Sequence, residues 1–125
     1  MVERSFGEPA AEQLVDISRQ WVDGAVVVRV AGELDTLTTP RLRQAVAEAL
    51  DDAAGAVVIL DLTKVTFLGS PGLAALVEAV SKARRRGGPL RMVVDNARQV
   101  IRPIELTGLD DVLALYETVD EALAH

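Results

Sequence analysis

Ser70 is the hydroxyl best placed for chemistry or recognition in this sequence. It follows an unbroken aliphatic run at residues 57–60 and precedes apolar residues at helical spacing, which predicts a strand, a turn and a helix. Ser70 falls at the expected N-cap, and Pro71 at the first helical position, where a missing N–H costs nothing. A hydroxyl at the positive end of a helix, between Gly69 and Gly72, suits recognition or chemistry, and it equally suits an ordinary helix start.

Catalysis by this serine is disfavoured by its neighbours. A hydrolase nucleophile elbow needs Gly-x-Ser-x-Gly, and the residue two positions before Ser70 is Leu68. The sole histidine is the last residue, His125, so no imidazole base is well placed to activate the hydroxyl. The chain has no cysteine, which excludes disulfides, thiolate metal sites and cysteine nucleophiles. We therefore expect no enzyme activity, no cofactor and no metal site.

Asp35 is the second candidate site residue. It ends the segment Gly32-Glu33-Leu34-Asp35, which breaks the apolar pattern of a preceding strand. Three threonines separate it from Pro40: Thr36, Thr38 and Thr39. Thr39 is expected to cap a helix whose first residue is Pro40, so Asp35 lies in the connection just before that helix. The carboxylate is then either a solvated loop residue that supports the turn or part of a functional surface beside Ser70.

The elements that must position these residues alternate along the chain. Asp23-Gly24 predicts a two-residue hairpin turn of type I′. We expect strands at residues 14–22, 25–31, 57–62, 90–94 and 112–116, and helices beginning near Pro40, Pro71, Asn96 and Thr118. Pro103 should kink or delay the third helix. The order predicts an α/β domain with a small mixed sheet, an N-terminal hairpin, parallel later strands and about four helices.

Length and composition limit the class of protein. With 125 residues, the chain is long enough for one domain, which we place at residues 13–125 after a mobile lead-in at 1–12. A net charge of −6 disfavours nucleic-acid binding and suits a basic protein partner. No apolar run approaches the roughly 20 residues of a membrane span. We expect a cytoplasmic protein without membrane contact, either a monomer or a weak dimer.

These residues resemble the STAS domain of bacterial anti-sigma factor antagonists. The resemblance covers about Leu14 to Leu123. Its matching segments are Gly32-Glu33-Leu34-Asp35, the strand ending at Asp61-Leu62, Val65-Thr66-Phe67-Leu68 leading into Ser70-Pro71-Gly72-Leu73, and Leu106-Thr107-Gly108-Leu109. The first and third segments, at this separation and in this element order, make the match specific. The resemblance implies a STAS-like fold and a protein that is not an enzyme.

The resemblance also implies a function and a set of site residues. Proteins of this family bind a kinase-type anti-sigma factor and thereby free a sigma factor for transcription. The serine matched by Ser70 is phosphorylated by that partner, and phosphorylation ends the binding. The carboxylate matched by Asp35 contributes to the recognition surface. On this basis the expected partner-binding residues are Asp35, Thr36, Thr38, Gly69, Ser70, Pro71 and Gly72.

Two positions depart from the family pattern and support a second hypothesis. Gly69 stands where family members usually have an aspartate, and Pro71 where they usually have a second serine or threonine. Loss of that carboxylate changes the hydrogen bonding available to Ser70. The alternative is therefore a non-phosphorylated STAS paralogue that acts as a constitutive binding module or as a small-molecule sensor.

Overall fold

The fold is built around one five-stranded β-sheet. The computed structural model describes residues 14–95 and 98–124. The strands, in their spatial order, are β1 (Val15–Val22), β2 (Ala25–Leu34), β3 (Val58–Leu68), β4 (Leu90–Val93) and β5 (Leu115–Tyr116). β1 is antiparallel to β2, and every later neighbouring pair is parallel. The predicted mixed sheet is confirmed. The expected lead-in at residues 1–12 and the expected cap Asn96 lie outside the described residues.

Four α-helices accompany the sheet in the described part of the chain. They are α1 (Thr39–Ala53), α2 (Ser70–Arg86), α3 (Arg98–Leu106) and α4 (Val119–Ala124), with a short 3-10 helix at Leu109–Asp111. α1, α2 and α3 contribute to a large apolar core on one face of the sheet, whereas α4 joins a smaller cluster that includes Val27, Ile59 and Ala122. The expected number of helices is confirmed.

The hairpin between β1 and β2 has the predicted turn. Asp23 and Gly24 have φ angles of 49° and 83°, and Val22 pairs with Ala25 across the turn. Two consecutive positive φ values are the mark of a type I′ turn, whose twist matches that of the flanking strands. The turn lies at the start of β2, and the loop that carries Asp35 follows the other end of that strand.

The bounds of β2, β3 and β5 differ from those predicted. β3 does not end at Leu62 but continues to Leu68, because β2 extends to Leu34 and pairs with it beyond a bulge. Conversely, β5 is only two residues long. Val112 and Leu113 still belong to the preceding turn, where their N–H groups both donate to the carbonyl of Leu109. The longer β3 carries the chain directly to Gly69, without the connecting loop that the sequence pattern implies.

The buried face of α2 also differs from the prediction. The apolar residues at helical spacing in this segment are Leu73, Leu76, Val77, Val80 and Ala83. Ala75 and Ala79 are buried together with Leu76 and Ala83, whereas Leu73, Val77 and Val80 are only half-buried. The reason is that α2 packs beside α1 as well as on the sheet, and the small alanines face Leu42 and Val46 of α1. The helix is thereby rotated from the orientation that hydrophobicity alone predicts.

An exposed ion pair connects α1 and α2. The Nε atom of Arg43 donates to Oε1 of Glu78 at 2.8 Å. This hydrogen bond lowers the pKa of the Glu78 carboxyl. A lowered pKa in the folded state means that the pair favours folding at neutral pH, and that this contribution disappears as the pH falls through the lowered pKa.

Two predictions concern the C-terminal helices: a kink or late start of α3 at Pro103, and a helix that begins near Thr118. α3 continues through Pro103 as far as Leu106. At the start of α4, the N–H of Glu121 donates to Oγ1 of Thr118 at 3.0 Å, as in a capping box. The return bond differs from the standard box, since Oε1 of Glu121 accepts from the N–H of Glu117.

Candidate functional site

Ser70 lies at the junction between β3 and α2, but it is not the N-cap. Gly69 is the cap, in an extended conformation (φ −88°, ψ 176°), and Ser70 is the first helical residue. The Gly69 carbonyl accepts from the N–H of Leu73 at 3.0 Å, while the Gly69 N–H donates to the carbonyl of Leu34 at 2.9 Å. The prediction that Ser70 caps the helix is therefore wrong, because the cap is fixed by a backbone bond to β2. The Ser70 side chain is exposed.

The loop that carries Asp35 is closed by its own hydrogen bonds. The N–H groups of Thr38 and Thr39 both donate to the Asp35 carbonyl, at 3.1 and 3.0 Å. The Thr38 hydroxyl donates to the carbonyl of Glu33 at 2.7 Å and accepts from the N–H of Asp35 at 2.9 Å. The predicted cap at Thr39 is wrong, since α1 begins at Thr39 and Thr38 takes the N-cap position. The Thr38 side chain bonds back into the loop and does not cap the helix.

The parallel pairing of β2 and β3 brings the two loops together. Leu34 pairs with Leu68, so both strands end at the same edge of the sheet and lead directly to Asp35 and to Gly69. A Cβ atom at position 69 would lie 3.3 Å from Oδ1 of Asp35. The Asp35 carboxylate therefore stands next to the residue that precedes Ser70.

The exposed residues of the Asp35 loop, of the end of β3 and of the start of α2 form one surface. We call it the Ser70 surface, and it comprises Asp35, Thr36, Leu37, Phe67 and Ser70. Two other residues predicted to bind a partner, Thr38 and Gly72, lie beneath this surface. Thr38 is fully buried, and Gly72 is buried against Leu34 and Leu68. Thr38 closes the Asp35 loop through its hydroxyl, and Gly72 lets α2 lie close to Leu34 and Leu68.

Sequence reasoning omitted two members of this surface, Leu37 and Phe67. Both are large apolar side chains, and the structure leaves them about half exposed, at 46% and 48%. A signal for Leu37 was present in the sequence, since it is a lone apolar residue among threonines before a helix. Phe67 gave no such signal, because an aromatic residue near the end of a strand usually belongs to the core.

Replacing Thr38 with valine should destabilise the fold and loosen the Asp35 loop. The substitution keeps the volume but removes the hydroxyl, so the Asp35 N–H loses its acceptor and the Glu33 carbonyl its donor. We expect a loss of about 1–3 kcal/mol in the free energy of unfolding, measured by denaturant titration. Thr36→Val, at an exposed position of the same loop, is the control and should change stability by less than about 0.5 kcal/mol. Equal stability of the two variants would contradict this role for Thr38.

The electrostatics of the Ser70 surface are set by carboxylates. Asp35 is exposed on it, and Glu33, two residues earlier in β2, is also exposed. Within residues 14–95 and 98–124, no group of three or more His, Cys, Asp or Glu side chains is arranged to hold a metal ion. In the same part of the chain, no helix is both long and apolar enough to cross a bilayer. What the surface offers is a hydroxyl, a carboxylate and exposed apolar groups.

Residues 16–122 match the family model of the STAS domain. The chain belongs to the STAS domain family. The match includes both loops of the Ser70 surface and the whole sheet, apart from the first residue of β1. The fold expected from the sequence resemblance, a mixed sheet with about four helices, is therefore confirmed by the family match as well as by the structure.

Named relatives of this STAS domain are antagonists of anti-sigma factors. The anti-sigma-F factor antagonist RsfB of Mycobacterium tuberculosis is 38% identical over 104 residues, which cover 81% of this chain and 80% of RsfB. The anti-sigma-B factor antagonist of Listeria monocytogenes is 34% identical over 86 residues, covering 69% of this chain and 74% of the relative. A crystal structure of an anti-sigma factor antagonist from Mycobacterium paratuberculosis has a TM-score of 0.80 at 37% identity, covering 93% of this chain and 97% of that chain.

Proposed function

We propose that this STAS protein is an anti-sigma factor antagonist, which binds an anti-sigma factor through the Ser70 surface and thereby releases a sigma factor for transcription. The observation that carries the proposal is the juxtaposition of exposed Ser70 with Asp35 at one edge of the sheet. The names of the relatives supply the class of partner. In this role the protein is a non-enzymatic regulator that acts in the cytoplasm.

The proposed partner is an anti-sigma factor of the serine-kinase type, and Ser70 is its phosphorylation site. Two features support this assignment. The hydroxyl is exposed at the first residue of a 17-residue helix, and it does not cap that helix. A phosphate there would lie at the positive end of the helix dipole, which stabilises an anion, so the fold should tolerate the modification. Pro71 has no N–H to offer, which leaves fewer backbone donors for the phosphate.

Asp35 is proposed to supply the carboxylate of this site. Gly69 has no side chain, and Oδ1 of Asp35 lies 3.3 Å from the position that a Cβ of residue 69 would take. An exposed carboxylate in this position can bind a basic side chain of the partner, which fits the acidic net charge of −6.

Asp35→Asn should weaken binding to the cognate anti-sigma factor without changing the melting temperature. The substitution keeps the shape of the side chain but removes its charge, and we expect the dissociation constant to rise about tenfold, which is about 1.4 kcal/mol. Isothermal titration calorimetry against each anti-sigma factor of the source organism, with thermal melts in parallel, measures both quantities. The control is Asp23→Asn, in the hairpin turn at the opposite end of β2, which should bind like the wild type.

The same purified pair tests the regulatory part of the proposal. Incubation with ATP followed by mass spectrometry should find one phosphate, on Ser70. If no anti-sigma factor binds the wild-type protein, the proposed function is wrong. If one binds but never phosphorylates Ser70, the protein is a constitutive binding module, the alternative that Gly69 and Pro71 suggest.

A further inference from the structure

Five large apolar side chains are exposed in the described part of the chain, and two of them lie on the Ser70 surface. The five are Trp21, Leu37, Phe67, Leu106 and Val112. Single exposed apolar residues are common and need no explanation. Leu37 and Phe67 differ from the other three because Leu37 belongs to the Asp35 loop and Phe67 lies near the end of β3, beside Gly69, which the Asp35 carboxylate also approaches.

The Phe67 ring has its position because residue 69 is a glycine. A Cβ atom at position 69 would lie 3.1 Å from Cε2 and 3.5 Å from Cζ of this ring. The first of these distances is tighter than an ordinary van der Waals contact, so a side chain at position 69 would push the ring away by a few tenths of an ångström. The absence of a side chain thus lets an aromatic ring and the Asp35 carboxylate approach the same backbone segment, immediately before Ser70.

Leu37 is presented by a loop with little freedom. It lies between Asp35 and Thr38, and the buried Thr38 hydroxyl accepts from the N–H of Asp35 and donates to the carbonyl of Glu33. The backbone of this turn is therefore fixed before any partner arrives. A preorganised apolar contact loses little conformational entropy on binding, which makes it an efficient anchor.

We infer that Phe67 and Leu37 are the apolar anchors by which this chain binds its anti-sigma factor, and that Gly69 determines specificity by setting the position of the Phe67 ring. This inference rests on the proposed function and deepens it. The complementary face of the anti-sigma factor has an apolar recess that receives the ring, beside a basic side chain that faces Asp35. Aromatic side chains at the centre of an interface, with charged groups around them, are the usual arrangement of binding hot spots.

Serine substitutions with matched controls test the anchors. In titrations with the cognate anti-sigma factor, Phe67→Ser should raise the dissociation constant at least about 30-fold, which is about 2 kcal/mol, and Leu37→Ser about tenfold. The controls replace the same kinds of residue elsewhere: Trp21→Ser for the aromatic ring and Leu106→Ser for the leucine. Both controls should bind within about twofold of the wild type. Circular dichroism and thermal melts establish that all four variants are folded.

A double-mutant cycle tests the role of Gly69. Gly69→Ala should weaken binding about fivefold in the wild-type background, because the added methyl displaces the Phe67 ring. In the Phe67→Ser background the same change should weaken binding by less than about twofold, since no ring remains to be displaced and only the contact of the methyl with Oδ1 of Asp35 is left. Equal effects of Gly69→Ala in both backgrounds would overturn the assignment of Gly69.

The outcomes for the inference and for the proposed function are distinct. If the wild-type protein binds an anti-sigma factor and the Phe67 and Leu37 variants bind it as tightly, the assignment of these residues as anchors is wrong and the proposed function stands. If the wild-type protein binds no anti-sigma factor, the proposed function itself is wrong, and the inference falls with it. If the Trp21 or Leu106 variant loses as much affinity as the Phe67 variant, the interface lies elsewhere on the molecule.

Discussion

Ser70→Asp is expected to weaken binding to the anti-sigma factor more than a hundredfold while leaving the fold intact. The new carboxylate would belong to the residue after Gly69, which Asp35 approaches, and it would add both bulk and like-charge repulsion to a surface built without it. A loss of 3 kcal/mol corresponds to a factor of about 150 in affinity. Phosphoserine, with a charge of about −1.5 to −2, should weaken binding at least as much. Calorimetric titration of the wild type, the variant and the enzymatically phosphorylated protein gives the three dissociation constants.

Ser70→Ala is the control for this prediction. Because Gly69 caps α2, removing the exposed hydroxyl should change the free energy of unfolding by less than about 0.5 kcal/mol. The alanine variant should therefore be as stable as the wild type, bind the anti-sigma factor without needing dephosphorylation, and accept no phosphate. A Ser70→Asp variant or a phosphoprotein that binds as tightly as the wild type would contradict the switch.

Gly32→Ala is expected to cost about 3 kcal/mol or more in the free energy of unfolding. Gly32 has φ +117°, a conformation that L-residues rarely adopt. A Cβ at this position would also collide with the backbone carbonyl of Leu14, at the point where Val15 of β1 pairs with Gly32. Backbone strain and steric overlap each cost about 1–3 kcal/mol. Denaturant titration followed by circular dichroism measures the loss.

Gly55→Ala separates the two contributions. Gly55 also has a positive φ, +97°, but no atom lies within 4 Å of the position its Cβ would take. This variant should show the backbone strain alone, roughly 1–2 kcal/mol. The difference between the two glycine variants then reports the collision with Leu14. Equal losses of unfolding free energy in the two variants would mean that β1 can move away from the new methyl without destabilising the fold. Because β2 leads into the Asp35 loop, Gly32→Ala should also weaken partner binding.

Much of the architecture follows from patterns that are local in the sequence. Asp23-Gly24 specifies its turn because only a few residue types accept two positive φ angles. The run at residues 57–60 specifies a buried strand, and the basic residues before Gly87 end α2 with the glycine in the left-handed conformation. The alternation of such segments is enough to indicate a mixed α/β sheet. Two short motifs that resemble those of the STAS domain then identify Asp35 and Ser70 as candidate site residues.

The tertiary structure decided which of these residues a partner can reach. Thr38 and Gly72 were predicted from the sequence as partner-binding residues, and both are buried in the structure. Phe67 was assigned no functional role, and its ring is about half exposed. The cap of α2 is Gly69 because its N–H bonds to the carbonyl of Leu34, 35 positions earlier in the chain. Burial and capping here depend on the parallel pairing of β2 with β3 and on its register, and no short turn joins these two strands to fix that register locally.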